Sequence, residues 1–308
     1  MKVLVVGPGA MGTLFAGLLV EGGHEVSLLG RRPEVIKSIS ENGIVIERDG
    51  GARAVPVRAV LRAQDAGRCD LVLMFVKAYS TLQASRDAAA AAGEDTVVLT
   101  LQNGLGNVDA IASVFGRRRV LAGVTAHGAT LIRPGNTRHA GVGETSIGEL
   151  DGALTPRLSR LAEAFRSSGV EVEASNCVEC LIWGKLIVNA GINPLTAILH
   201  VPNGGLLERS ETRDVMAAAA SEATAVAAAR GMPLPYEDAL VRIEEVCRLT
   251  AANRSSMLQD VERGVQTEVD YINGAIVREG VALGVPTPVN WTLTQLIKGI
   301  EPPREVSF

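Results

Sequence analysis

Residues 183–195, "WGKLIVNAGINPL", form an apolar stretch that carries one lysine and two asparagines. On a helix, at about 100° per residue, Lys185, Asn189 and Asn193 fall within an arc of roughly 80° along about three turns. Burying an ammonium or an amide without partners costs on the order of several kcal/mol. This shared polar face must therefore meet water, other polar groups or a ligand.

The elements that position such a face begin with a glycine motif near the start of the chain. The apolar run "KVLVV" at 2–6 is followed by "GPGAMG" and then by a helix-compatible segment that lasts to about Glu21. A backbone free of side chains can turn tightly and approach a pyrophosphate, whose charge rests on the helix N-terminus. The pattern predicts a dinucleotide site with these residues: Gly7, Pro8, Gly9, Ala10, Met11 and Gly12.

The end of the second strand indicates which dinucleotide binds. An NAD site usually places Asp or Glu there to bind the ribose 2′-hydroxyl. Here "EVSLLG" at 25–30 is followed by Arg31 and Arg32. Arg31 can bind a 2′-phosphate through charge-assisted hydrogen bonds, although exposed loop charges remain the alternative. The sequence favours NADP(H).

Further apolar strands are predicted at 70–76, 96–101 and 120–128, alternating with helical segments such as 81–92. This alternation predicts a parallel sheet covered on both faces. Lys77 and Asn103 each follow one of these strands, at the edge where open α/β sheets bind ligands. We expect both beside the cofactor, with simple turn residues as the alternative. His127 ends another strand and stays open between a structural histidine and a cleft residue.

The alternation stops near residue 173, where "VEVEA" at 170–174 is the last predicted strand. After Asn176 the pattern is helical, with predicted breaks at Pro194, 202–205, 232–235 and 284–288. We therefore predict an α/β fold: a doubly wound parallel sheet of the Rossmann type at 1–174 and an all-helical domain at 175–308, with a cleft between them.

Composition limits the remaining possibilities. The chain has 308 residues, 47% of them apolar and 21% charged, and a net charge of -4, which argues against a nucleic-acid partner. We expect Arg117–Arg119 to form a solvated loop or helix end. No metal site is predicted, and the unevenly spaced cysteines favour a reducing compartment, with "CVEC" at 177–180 holding structural or incidental thiols rather than a redox pair.

The first twenty residues resemble a secretory signal peptide, because Lys2 precedes an apolar run that lasts to Val20. The spacing of the three glycines favours the nucleotide fingerprint instead. We expect a cytoplasmic protein without a membrane partner. The sequence leaves the oligomeric state open, a homodimer included.

Five motifs together give a family resemblance: "GPGAMG" with Arg31, "VKAYST", "LQNG", "WGKLIVNAGINPLTA" and "NRSSMLQDVERGVQTEVDYINGAIV". With these motifs the chain resembles the ketopantoate reductases. The resemblance implies a Rossmann domain, a helical domain and NADPH-dependent reduction of 2-dehydropantoate, the small-molecule substrate, to (R)-pantoate in pantothenate and coenzyme A biosynthesis.

Individual positions also match the motifs of that family. Lys185 matches its catalytic lysine and Glu268 its active-site glutamate. The matches to substrate-binding positions are Asn103, Asn189, Asn193 and Ser256. Lys77 and Asn103 match positions that line the cofactor and substrate cleft.

The implied reaction explains the lysine in the apolar stretch. Reduction of a 2-keto acid creates an alkoxide, which must be stabilised and protonated. Lys185 can do both, and apolar neighbours such as Trp183 and Ile187 would lower its pKa. Three alternatives remain: a structural lysine paired with a carboxylate, an NADP-dependent reductase of another branched 2-keto or 3-hydroxy acid, and an NADP-binding regulatory protein that has lost the chemistry.

Ser256 and Glu268 lie twelve residues apart, which on one helix would separate them by about 18 Å. Both can serve one small substrate only if the chain breaks between them. Gly264 can end a helix, and Thr267 can begin the next. We therefore predict a first helix that ends near Arg263 or Gly264 and a second that starts near Thr267, with one continuous helix as the alternative.

Overall fold

The structure is a computed structural model that describes residues 1–48 and 50–303. The chain divides into two compact units. The first, here called the sheet unit, contains Met1–Gln102 and Gly106–Val178. The second, here called the helical unit, contains Asn103–Leu105 together with the chain from Glu179 onward.

Within residues 1–48 and 50–178, the described part of the sheet unit contains two β-sheets and five α-helices. Its strands are β1 (Lys2–Val6), β2 (Glu25–Leu29), β3 (Ile44–Arg48), β4 (Gly51–Val55), β5 (Arg58–Val60), β6 (Cys69–Met74), β7 (Ala92–Thr100), β8 (Val120–Thr125), β9 (Gly128–Arg133), β10 (Asn136–Gly141), β11 (Thr145–Glu149) and β12 (Val172–Ala174). Its helices are α1 (Ala10–Glu21), α2 (Pro33–Asn42), α3 (Thr81–Ala88), α4 (Asn107–Phe115) and α5 (Pro156–Arg166).

The larger sheet has eight strands in the order β12-β11-β8-β7-β6-β1-β2-β5. Neighbouring strands are parallel except β11 and β8, which are antiparallel. In the centre, Val6 at the end of β1 pairs with Leu29 of β2 and Met74 of β6, so the carboxyl ends of the three strands lie level. This level edge is where a parallel α/β sheet presents its binding loops.

The predicted parallel sheet is confirmed, with three differences in detail. The predicted strand 120–128 ends at Thr125, and Gly128 already begins β9. Strand β11 adds an antiparallel pairing that was not predicted. A second sheet, ordered β4-β3-β10-β9, was missed as well, because β4 is largely exposed, β9 is at most half-buried, and both lack the continuous apolar runs that marked the other strands.

The helical unit consists of α-helices with short 3-10 segments. Its helices are α6 (Val178–Leu199), α7 (Ser210–Ala229), α8 (Ala239–Leu249), α9 (Ser256–Glu262), α10 (Asn273–Leu283) and α11 (Pro288–Ile300). The 3-10 segments are Asn203–Leu207 and Val269–Tyr271. The predicted breaks at 202–205, 232–235 and 284–288 all fall between α-helices and are confirmed. The break at Pro194 is wrong, because α6 continues through this residue to Leu199.

Helix α6 forms the centre of the helical unit. Within the described residues it is the one helix long and apolar enough to cross a membrane, and 67% of its apolar window is buried inside the protein, as in the core helix of a globular domain. Gly184 and Gly191 let neighbours approach its backbone: a Cβ at Gly184 would lie 2.6 Å from Pro235 Cγ, and one at Gly191 would lie 2.8 Å from Ile243 Cδ1. These glycines lie on the side of α6 roughly opposite its polar face.

Candidate active site

The glycine loop of the sheet unit has two glycines that the fold itself requires. Gly7 has φ +106°, and a Cβ there would lie 2.9 Å from Val76 N. A Cβ at Gly12 would lie 1.9 Å from Gly7 O, so a side chain would push α1 away from the loop. Gly7 therefore lets the loop lie against the segment that follows β6, and Gly12 lets α1 lie against the loop.

Gly9 is different, because a Cβ at this position would meet nothing within 4 Å. It is the N-cap residue of α1 and has φ −82°, which any residue can adopt. Neither packing nor backbone strain explains this glycine. The open space faces a helix N-terminus that continues as Ala10 and Met11, and this arrangement fits a pyrophosphate.

Arg31 lies at the end of β2, next to the glycine loop. A Cβ at Gly30 would lie 2.8 Å from Pro8 Cγ, so the end of β2 packs directly on the loop. The exposed Arg31 donates a hydrogen bond from Nη2 to Ser80 Oγ over 3.4 Å. Lys77 is the half-buried N-cap residue of the same 3-10 turn, Ala78–Ser80. The structure thus brings a guanidinium and an ammonium to the edge where the glycine loop lies.

His127 is buried in the sheet unit beside a second histidine. Its Nδ1 lies 2.8 Å from His139 Nε2, and its ring packs edge-on against Phe15. Burial, reinforced by the neighbouring histidine, lowers the pKa of His127 to about 4. The ring is therefore neutral near pH 7. These contacts give His127 a packing role within this unit.

Lys185 lies on α6 in the helical unit, two residues after the buried Trp183 and two residues before the buried Ile187 in the sequence. Desolvation lowers its pKa to about 8, and the charge of Glu268 opposes that decrease. The amine is therefore mainly protonated at pH 7 but releases its proton far more readily than an exposed lysine. The direction of the shift is the one that the apolar neighbours predict.

Glu268 reaches this region because the chain breaks where the sequence predicts it. Helix α9 ends at Glu262, and Gly264 follows with φ +62°. The alternative of one continuous helix is wrong. The predicted start near Thr267 needs correction, since a 3-10 turn begins at Val269 and α10 only at Asn273. Glu268 is the N-cap residue of that turn, and Thr267 Oγ1, one residue earlier, accepts a hydrogen bond from Val269 N over 3.1 Å.

The turn that carries Asn103 is attached to the segment after Glu268. Leu105 N donates to Tyr271 O over 2.9 Å. Gly104 has φ +83°, and a Cβ there would lie 2.3 Å from Tyr271 O, so only glycine allows this approach. The turn of Asn103 is thereby held by Tyr271, which lies three residues after Glu268.

The remaining predicted substrate residues also lie in the helical unit. Asn189 is half-buried and Asn193 is buried on α6, both on the side that carries Lys185. Ser256 is the exposed first residue of α9. The buried Ser255 is the N-cap of that helix and accepts from Leu258 N over 3.0 Å. It is also 2.7 Å from Thr196 Oγ1, so α9 begins against the turn of α6 that follows Asn193.

The other predictions about reactive or charged groups have mixed outcomes. Arg117–Arg119 forms an exposed 3-10 turn, as predicted, and Arg117 pairs with Asp109 at 3.5 Å. Cys69 and Cys247 are free and buried. Cys177 and Cys180, however, are disulfide-bonded, so the expectation of structural or incidental thiols in "CVEC" is wrong, and the cysteines no longer support a reducing compartment. Their spacing of three residues at the start of α6 keeps the two side chains within one helical turn.

Two residues that support α6 were not predicted. The Tyr236 hydroxyl donates to Gly184 O over 3.0 Å, next to Lys185. Asn273 Nδ2 donates to Ala190 O over 3.1 Å, next to Asn189. A signal for the second existed, because a proline inside a helix removes the amide that would bond the carbonyl four residues earlier.

Comparison with known proteins agrees with this geometry. The family model described as "Ketopantoate reductase PanE/ApbA" matches residues 3–152, and the model of its C-terminal part matches residues 178–301. A 2-dehydropantoate 2-reductase of Halobacterium salinarum is 38% identical, covering 97% of this chain and 98% of that protein. That of Archaeoglobus fulgidus is also 38% identical, with the same coverage.

Solved structures show the same similarity along the whole chain. A PanE/ApbA family ketopantoate reductase from Ralstonia eutropha JMP134 has a TM-score of 0.90 at 36% identity, covering 97% of this chain and 98% of that one. D-mandelate dehydrogenase with NADH and anilino(oxo)acetate has a TM-score of 0.93 at 30% identity, with the same coverage. The chain belongs to the ketopantoate reductase family.

Proposed function

We propose that the chain is an NADPH-dependent 2-dehydropantoate 2-reductase, and that Lys185 is its general acid. The observation that carries this proposal is the placement of Lys185, Asn189 and Asn193 on one side of α6, with the pKa of the lysine lowered to about 8 by desolvation and the charge of Glu268 opposing that decrease. An acid whose pKa lies near the working pH transfers protons efficiently. The curated relatives, which are 2-dehydropantoate 2-reductases, support the choice of substrate.

The sheet unit provides the groups that would hold NADPH, which supplies a hydride when bound. The open space at Gly9 and the N-terminus of α1 suit the pyrophosphate. Arg31 would bind the 2′-phosphate, and the three residues directly after β2, Gly30, Arg31 and Arg32, include no acidic side chain that would repel it. We keep Lys77 as a cofactor contact and Asn103 as a contact of cofactor and substrate.

Lys185 would act on the substrate in two ways. Its ammonium stabilises the negative charge that develops on the keto oxygen, and it then donates its proton to that oxygen. Partial burial strengthens the first effect, because charges interact more strongly when water is excluded. Glu268 keeps the lysine protonated at neutral pH, since its charge raises the pKa that burial lowers.

The neutral side chains would orient the substrate. Asn189 and Asn193 present amides on the Lys185 side of α6, and Ser256 presents a hydroxyl at the start of α9. These groups can bind the hydroxyl and carboxylate of 2-dehydropantoate without exchanging protons at neutral pH. Glu268 can in addition accept a hydrogen bond from the substrate hydroxyl.

We place this reaction in the cytoplasm, as a step of pantothenate and coenzyme A biosynthesis. The net charge of -4 suits a small-molecule enzyme better than a protein that binds nucleic acid or membranes. The sequence leaves the oligomeric state open, a homodimer included.

The test is NADPH oxidation by the purified protein with 2-dehydropantoate, beside a panel of other 2-keto acids that includes phenylglyoxylate, the keto acid of mandelate. We expect kcat/KM to be at least about tenfold higher for 2-dehydropantoate than for any other acid, because the polar side chains suit its hydroxyl group. A preference for another keto acid would overturn the substrate assignment. A flat trace with every acid would overturn the reductase proposal itself.

A further inference from the structure

Helix α6 contains a defect between its two asparagines. Pro194 lies inside the helix and has no amide hydrogen, so it cannot donate to the carbonyl of Ala190, four residues earlier. The proline ring also crowds that carbonyl and tilts it away from the helix axis. Ala190 is fully buried. A buried carbonyl without a hydrogen bond is costly, so another donor is needed.

Asn273 provides that donor from another helix. It is the first residue of α10, is fully buried, and donates from Nδ2 to Ala190 O over 3.1 Å. Its second Nδ2 hydrogen goes to Asn290 Oδ1 over 3.0 Å. The side-chain amide thus does for Ala190 what the backbone amide of residue 194 does in an ordinary helix.

The orientation of Asn273 is fixed by its neighbour. Asn290 Nδ2 donates to Ala219 O over 3.0 Å and to Glu222 Oε2 over 2.8 Å, which leaves Asn290 Oδ1 as an acceptor. A rotated Asn273 amide would place its own oxygen against two acceptors. Within the described residues, Asn273 Oδ1 has no hydrogen-bond partner. The contribution of this side chain therefore comes from its two donated hydrogens.

The position of this contact connects it to the proposed substrate site. Ala190 follows Asn189 directly and precedes Asn193 by less than one turn. Asn273 itself comes two residues after Tyr271, whose carbonyl holds the turn of Asn103. One short segment, from Glu268 to Asn273, therefore contacts α6 and the 103–105 turn.

We propose that Asn273 is a positioning residue: it replaces the amide that Pro194 lacks and thereby sets the orientation of the α6 turn that presents Asn189 and Asn193 to the substrate. This role rests on the proposed function for its kinetic consequence. The contact itself does not depend on the identity of the substrate.

The experiment is a double-mutant cycle of Asn273→Ala and Pro194→Ala. Alanine at 194 restores a backbone amide that can bond Ala190 O, so the side-chain amide of Asn273 is no longer required there. We expect Asn273→Ala to lower kcat/KM for 2-dehydropantoate about tenfold, mainly through KM, as for the loss of one orienting hydrogen bond. The Kd of NADPH and the pH dependence set by Lys185 should not change.

In the double variant we expect kcat/KM to recover to within about threefold of the Pro194→Ala single variant, since non-additivity reports a shared contact. An Asn273→Ala enzyme with unchanged KM would overturn the proposal. A loss of the same size in both backgrounds would also overturn it, because Asn273 would then not be serving the carbonyl that Pro194 leaves open.

Thermal unfolding of the four proteins gives a readout that needs no substrate. We expect the Asn273→Ala change to lower Tm in the wild-type background and to have a smaller effect in the Pro194→Ala background. If Asn273→Ala does not fold while the double variant does, the proposal is supported; if neither folds, it is overturned. A wild-type protein inactive with 2-dehydropantoate would reject the proposed function, whereas additive Tm changes would reject the role of Asn273.

Discussion

The two units of the protein build their binding groups from different parts of the chain. In the sheet unit, the glycine loop and the N-terminus of α1 lie within six consecutive residues, 7–12, and offer backbone groups. In the helical unit, the proposed substrate groups are side chains from three separate segments: 103–105, α6 and 256–268. A site made of backbone is defined by local sequence, whereas a site made of side chains depends on long-range packing.

The two units also differ in how the surroundings set the pKa of a basic side chain. Desolvation lowers the pKa of His127 in the sheet unit and of Lys185 in the helical unit. The neighbour of His127 is a second histidine, which lowers the pKa further, to about 4. The neighbour of Lys185 is Glu268, which opposes the decrease and leaves the pKa at about 8. One base is thus neutral and structural, while the other remains an acid near neutral pH.

The largest effect is expected for a change at Lys185, which should lower turnover without changing the affinity for the cofactor. Lys185→Ala should lower kcat by about 10² to 10⁴, because it removes both the proton donor and the charge that stabilises the alkoxide. The Kd of NADPH, measured by fluorescence titration, should stay within about twofold, since all proposed cofactor groups except Asn103 lie in the sheet unit. Lys37→Ala, an exposed lysine that pairs with Glu41, is the control. Near-normal turnover of Lys185→Ala would return this lysine to a structural role.

A smaller effect is expected at the end of β2. Arg31→Ala should raise the Kd of NADPH about 10- to 100-fold, since a partly exposed charge-assisted contact is worth roughly 1 to 3 kcal/mol. NADH, which lacks the 2′-phosphate, should be affected much less. Arg32→Ala, at the exposed neighbouring position, is the matched control. Equal losses for both cofactors would show that Arg31 does not recognise the 2′-phosphate.

The smallest effect tests whether backbone alone forms the pyrophosphate site. Gly9→Ala should leave Tm nearly unchanged, because a Cβ there meets no atom within 4 Å. It should nevertheless raise the Kd of NADPH about tenfold or more, since the methyl group would occupy the space of the pyrophosphate. Gly299→Ala, also in open space, should not change NADPH affinity. Unchanged NADPH affinity in Gly9→Ala would show that the pyrophosphate does not bind at this position.

The comparison also explains which features could be predicted from the sequence. The glycine loop and Arg31 are local signals: β1 and β2 match the predicted strands to within one residue, and α1 ends at the predicted Glu21, although it already begins inside the glycine motif, at Ala10. The spacing of Lys185, Asn189 and Asn193 predicts one polar face of α6. The break between Ser256 and Glu268 was also predictable, because Gly264 provides a local stop signal.

Features that depend on distant partners were not predictable in the same way. Pro194 indicates a helix break, but α6 continues because Asn273, 79 residues later, donates to the carbonyl that the proline leaves open. The docking of Gly104 on Tyr271 likewise joins remote segments. The small second sheet was missed because β4 and β9 carry no continuous apolar run and are held by their pairing with β3 and β10. In each case the deciding contact lies outside the local sequence.

The most direct test of the central claim is the pH dependence of kcat/KM for 2-dehydropantoate reduction in the wild type and in Glu268→Gln. The reaction needs protonated Lys185, whose pKa is about 8. We therefore expect a plateau below that pH and a decrease of about tenfold per pH unit above it. In Glu268→Gln the decrease should begin at lower pH, because the carboxylate that raises the lysine pKa is gone. A wild-type profile that stays flat to pH 10, or a decrease that begins at the same pH in both proteins, would contradict the assignment of Lys185 as a general acid tuned by Glu268.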